Sequence, residues 1–201
     1  MLTSFEGAVY RGLTPQYQLH PLSGEGARIH GGRFNPKGVA ALYTALDIGT
    51  VAKELQGKSK NVPPHMLVEL RISSERVLDL RAVAALDILG LTRGDLGLPF
   101  RDYDYSEVDL ANYLDTCLQL PPSQMVAIGA LALGADAVLV PAQHANASED
   151  EVNLVLFEWN VTDATSAKLV DPDERLPNAK TEAGRSDRKL CRRVFEIRHR
   201  S

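Results

Sequence analysis

The sequence predicts one α+β domain, and three observations carry that expectation. At 201 residues the chain is long enough to bury a sizeable core within a single domain. Hydrophobic residues make up 44% and charged residues 24%, the balance of an ordinary globular protein. Strand-like and helix-like stretches follow one another in mixed order, with strands predominating toward the end, which is not the regular alternation of βαβ units.

The elements are expected in this order. EGAVYRGLT reads as a first strand ended by Pro15. The glycine-rich stretch GARIHGGRFNPKG, residues 26–38, follows as a loop, and VAALYTA as a short strand. DIGTVAKELQGK reads as a helix with Asp47 at its N-cap, Ile48, Val51, Ala52 and Leu55 on its apolar face, and Gly57 as its stop. HMLVELRIS alternates Met66, Val68, Leu70 and Ile72 on one face of a strand, and VLDL follows as a separate extended piece. AVAALDILG is a helix closed by Gly90, residues 91–109 an irregular excursion, and LANYLDTCL a further helix. QMVAIGALALG reads as a helix capped by Ser123. ADAVLVPA and EVNLVLFEW are two strands joined by a polar loop, and AKLVDPDERLP closes the domain.

Charge is uneven. The chain carries −4 overall, yet residues 179–201 hold eight Lys or Arg against three acids, which is +5 for the tail and −9 for the remainder. That end is expected to be a mobile basic appendage. The overall acidity argues against direct nucleic-acid binding. Cys117 and Cys191 lack the spacing of a metal site or a paired redox motif. The first residues lack the pattern of a signal peptide, and no apolar run approaches the roughly 20 residues a bilayer requires. The expected setting is the cytoplasm, with no membrane partner.

Candidate chemistry begins at the glycine-rich stretch. Gly31 and Gly32 leave the backbone unshielded beside Arg33 and Asn35, an arrangement suited to a phosphate or ribose. A turn-rich loop with a solvated arginine fits the same residues, since the pattern is neither GxGxxG nor a P-loop. Glu54 falls at the edge of the apolar face of its helix, where it could stabilise developing positive charge or pair with Lys58. Tyr43 could stack on a flat ring or pack into the core. None of the five histidines forms a recognisable metal pair, so no metal is expected.

Taken in order, YRG, GARIHGGRFNPKG, ALYTA, AKEL, GADAVLVPA, NLVLF and RLP resemble the RES domain family across about Phe5 to Pro177. The GGRFNPKG block followed by LYT, with a glutamate eleven residues after the tyrosine, carries most of that resemblance. It divides the chain into a RES domain, residues 5–177, and a basic tail, residues 178–201. It also implies an ADP-ribosyltransferase-like fold and a toxin of a bacterial toxin–antitoxin pair that consumes NAD. Cleavage of the nicotinamide–ribose bond would pass ADP-ribose to water, to phosphate or to a protein acceptor. The implied antitoxin partner is a helix-turn-helix protein of the Xre kind. Carried over residue by residue, Glu54, Arg33 and Tyr43 are the implied catalytic set. Arg11, Arg28, Gly31, Gly32, Arg33, Asn35 and Tyr43 are the implied dinucleotide contacts. The family's serine is expected where this chain has Ala142, and Ser148 lies six residues further on. That departure implies a second reading, a catalytically weak module that binds NAD or ADP-ribose or serves in a protein complex. The region 80–120 is expected to be a family-variable insertion.

Overall fold

A computed structural model describes residues 1–56, 64–100, 120–144, 147–176 and 178–199. Six strands form one sheet: β1 (Leu2–Leu13), β2 (Leu42–Ala45), β3 (Met66–Asp79), β4 (Ala137–Pro141), β5 (Val152–Leu156) and β6 (Thr165–Leu169). Their order is β1-β2-β5-β4-β3-β6, and β1 also pairs with β3 along nearly its whole length, from Leu2↔Leu78 to Leu13↔Met66. Five strands therefore close into a ring, with β6 added alongside β3. All pairings are antiparallel except that of β3 with β4.

The helices are α1 (Glu25–His30), α2 (Ile48–Gln56), α3 (Val83–Ile88), α4 (Arg93–Gly97), α5 (Met125–Ala132) and α6 (Arg188–Arg198). Period-two alternation divides the sheet's apolar residues between two cores. Val138, Val140 and Val155 face one core with residues of α3, α4, α5 and α6. Ala137, Leu139, Leu154 and Leu156 face the other, with Val9, Leu70, Ile72 and Trp159. Because β4 and β5 are covered on both faces, they read as continuous apolar runs in the sequence.

Several expectations change here. Residues 66–79 form one strand rather than two, because Ser74 is buried and hydrogen-bonds Thr165 at 2.8 Å, so the polar SSER segment stays within the sheet. EGARIH is helical. Residues 93–97 form a helix because Thr92 and Asp95 make a reciprocal capping box. Ser123 does not cap α5; it is buried inside a short 3-10 turn, Pro122–Gln124, that leads into the helix. Asp47 does cap α2, accepting from the Thr50 amide at 2.8 Å. The apolar face of α2 is narrower than expected: Val51 is buried while Ile48 and Ala52 are exposed. Gly57, residues 101–109 of the excursion and the LANYLDTCL helix lie outside the described residues.

The basic end is not a loose appendage. Asp187 caps α6 by accepting from the Leu190 amide at 3.0 Å, and Cys191 and Val194 are buried against the first core. No described helix is long and apolar enough to cross a membrane.

Candidate functional site

A cleft opens where β1, β2, β5 and α2 converge, beside the loop that follows α1. Its walls include Tyr10, Arg11, Arg33, Tyr43, Glu54, Gln143 and Asn153. It encloses about 610 Å³, its open mouth included.

The close seat of α2 on β1 shapes one wall. A Cβ at Gly12 would lie 2.5 Å from Leu55 Cδ1, so the missing side chain lets Leu55 press onto the strand beside Arg11. This seat carries Glu54 to the cleft. Glu54 Oε1 accepts from Asn153 Nδ2 at 2.9 Å and from the Gln143 amide at 3.2 Å. Oε2 has no hydrogen-bond partner among the described residues. One oxygen is thus held and the other is available to a ligand. The loop carrying Gln143 is itself tied to α2, through ion pairing of Lys53 with Glu151.

Arg33 reaches the cleft from the glycine-rich loop. Its Nη1 donates to the Leu98 carbonyl at 3.1 Å and to that of Leu96 at 3.4 Å, and its guanidinium carbon lies 5.2 Å from the centroid of the Phe100 ring. Oriented this way, it brings positive charge to the same cavity as Glu54. Tyr43 projects from β2 with its hydroxyl already engaged. That hydroxyl accepts from the Phe34 amide at 3.0 Å and donates to Asn35 Oδ1 at 2.7 Å. Burial pushes its phenol above the ordinary tyrosine range. The aromatic ring, rather than the hydroxyl, is what Tyr43 offers to the cleft.

The remaining expected residues separate into distinct places. Arg11 lines the cleft, but its Nη1 and Nη2 donate to the carbonyls of Pro21 and Ser23 at 3.1 and 2.9 Å. Burial lowers its pKa to about 10, against the opposing pull of Glu182, and the guanidinium remains charged at neutral pH. Arg28 is exposed and paired with Glu25, and it lines a separate hollow with Trp159 and Arg185. Asn35 is fully buried and donates to the carbonyls of Ala27 and Val39 at 2.9 and 2.8 Å. The Gly31 and Gly32 amides are spent on Ala27 and Asn35 carbonyls inside the loop. Gly32 has a different use: a Cβ there would lie 2.4 Å from the Tyr43 hydroxyl, so only glycine leaves room for the Tyr43–Asn35 pair.

Ala142 is buried, its amide donates to the Glu151 carbonyl at 2.8 Å, and it lines a neighbouring hollow with Arg81, Arg93 and Ser148. Gln143, the next residue, belongs to both cavities. Sequence reasoning passed over Gln143 and Asn153. Asn153 did leave a signal, being the one polar side chain in the otherwise apolar strand VNLVL.

The sequence model of the RES domain family matches residues 8–179. The chain belongs to the RES domain family. The comparison with curated proteins gives no match. Among solved structures, a chain in the crystal structure of the M. tuberculosis MbcT–MbcA toxin–antitoxin complex is similar, with a TM-score of 0.55 and 20% identity. The match covers 97% of the present chain and 92% of the other. At that identity the likeness concerns the fold. The RES match takes in every cleft residue described above and ends before α6 begins.

Proposed function

We propose that this RES domain is a toxin that consumes NAD in the cytoplasm, cleaving the bond between nicotinamide and ribose. The observation that carries this reading is the half-held carboxylate of Glu54, with Oε1 fixed by Asn153 and Gln143, in one cavity with Arg33 and the Tyr43 ring. In this reading Arg33 neutralises the diphosphate, and the Tyr43 ring supports the nicotinamide or its ribose. As the C–N bond breaks, its electron pair passes to the nicotinamide nitrogen, which becomes neutral. Positive charge gathers on the anomeric carbon and ring oxygen. The uncommitted Glu54 oxygen stabilises that charge or holds a ribose hydroxyl. Water, phosphate or a protein side chain then bonds to the anomeric carbon and loses a proton.

The MbcT–MbcA complex joins a toxin with its antitoxin. By analogy, we assign this chain an antitoxin partner, a helix-turn-helix protein of the Xre kind encoded nearby.

A second reading, a weak NAD- or ADP-ribose-binding module, draws on Ala142, which places a methyl group where the family's serine is expected. One assay separates the two. Purified protein is incubated with NAD, with and without phosphate, and products are followed by mass spectrometry. The leading reading expects free nicotinamide, a loss of about 100-fold or more in Glu54→Gln and Arg33→Ala, and suppression by the antitoxin. Intact NAD after long incubation, together with a sharp gain in Ala142→Ser, selects the second reading.

A further inference from the structure

We infer that Asn153 is the positioning residue of the cleft: its Nδ2 fixes Glu54, and its Oδ1 is presented to the bound ligand as a hydrogen-bond acceptor. The second half of this inference rests on the reading of the cleft as a NAD site; the first half stands on geometry alone.

Asn153 lies in β5, all five of whose residues are buried, and is paired with Leu42–Ala45 on one side and with β4 on the other. A polar side chain at such a position costs stability unless its amide is satisfied. Nδ2 finds its acceptor in Glu54 Oε1 at 2.9 Å. A carboxylate only accepts, so the NH₂ end of the amide must be the end that faces it. This settles the orientation that an amide would otherwise leave open and turns Oδ1 away from Glu54. Oδ1 has no partner among the described residues, and Asn153 lines the cleft.

The consequence for Glu54 is geometric. Glu54 sits on the exposed side of α2, where a glutamate would ordinarily sample several rotamers. Two donors, both delivered by the β4–β5 hairpin, converge on Oε1 and leave Oε2 as the free oxygen. The Gln143 amide belongs to the backbone and survives any side-chain substitution. Asn153 is the donor that sequence variation can remove. The Oδ1 acceptor then lies next to the carboxylate, where a ligand hydroxyl or carboxamide N–H would complete it. A ribose diol or the nicotinamide carboxamide has that chemistry.

Asn153→Asp tests this with nearly unchanged shape. Replacing the NH₂ by an acceptor sets two carboxylates against each other, and such pairs hold one proton between them. At neutral pH, nicotinamide release should fall about tenfold to a hundredfold, the worth of one hydrogen bond to a charged group. The loss should sit in kcat rather than KM, and activity should partly return as the pH is lowered and the shared proton restores a donor. Asn153→Ala should show the loss without the acid recovery. An Asp variant that melts like wild type and keeps the wild-type pH profile overturns the proposal.

The Glu54 contact is tested separately by NMR of the unliganded protein. The Asn153 side-chain amide protons should be widely separated in shift and should converge in Glu54→Ala. Unmoved resonances overturn the positioning role whatever NAD does. Moved resonances with NAD left intact by wild type uphold the Glu54 contact and overturn the NAD reading and the Oδ1 role together.

Discussion

At the scale of single residues, the loop GARIHGGRFNPKG works from the inside. Asn35 is fully buried and binds the carbonyls of Ala27 and Val39 and the Tyr43 hydroxyl; Gly32 makes room for that hydroxyl. Tyr43→Phe should therefore act on stability rather than on ligand affinity. It strips the Phe34 amide of an acceptor and Asn35 of a donor, at a cost of about 1–3 kcal/mol. The ring that faces the cleft is kept. The expected result is a lower melting temperature with KM for NAD little changed. A raised KM at unchanged melting temperature would show that the hydroxyl reaches the ligand. The grouping of Arg33, Tyr43 and Glu54 was legible in the sequence because the motif order carries it. The roles of Asn35 and Gly32 were not, since they depend on an approach between β2 and the loop that no local spacing records.

At the scale of elements, the same division holds for a physical reason. Strands with strict alternation, such as 66–72, and strands buried on both faces, such as β4 and β5, announce themselves because burial dictates side-chain type. Asp47 was legible as a cap because its bond is local, three residues away. The continuity of β3 was hidden because it depends on Ser74 meeting Thr165, 91 residues distant. Helix α6 was hidden because Lys and Arg interrupt its apolar face, of which Cys191 and Val194 are buried while Leu190 and Phe195 pack partly buried against the core. Cys191 makes the docking measurable. Burial raises its thiol pKa to about 12, so at neutral pH it is protonated as well as covered. In a Cys117→Ser background, a thiol reagent should leave the native protein unlabelled and react in step with denaturant unfolding. Rapid labelling under native conditions would mean that α6 leaves its seat without global unfolding.

At the scale of the whole molecule, the node that joins the basic C-terminal segment to the sheet is Asp136, the residue just before β4. Its side chain is almost completely buried and receives Arg76 Nε on Oδ2 and Nη2 on Oδ1, both at 2.9 Å, together with the Thr165 hydroxyl at 2.6 Å. Arg188, at the start of α6, adds a further contact to Oδ1, donates Nε to Glu158 at 2.6 Å and donates Nη1 to the Leu131 carbonyl at 3.1 Å. One arginine thus ties α6 to β4, β5 and the end of α5, although α6 lies beyond the RES match. Removing one partner from a buried charge is costly because the charge remains. Asp136 keeps Arg76 and Thr165, so Arg188→Met should cost about 2 kcal/mol rather than the larger penalty of an orphaned carboxylate. In a protein of this length that corresponds to a fall of roughly 4–8 °C in Tm. A double-mutant cycle with Asp136→Asn should return a coupling of at least about 1 kcal/mol. The same variant should keep nicotinamide release per folded molecule, because no residue of the node lines the cleft. Additive losses in the cycle would reduce the ion pair to a surface contact. A matching loss of activity at temperatures well below the transition would show that α6 shapes the cleft as well as closing the fold.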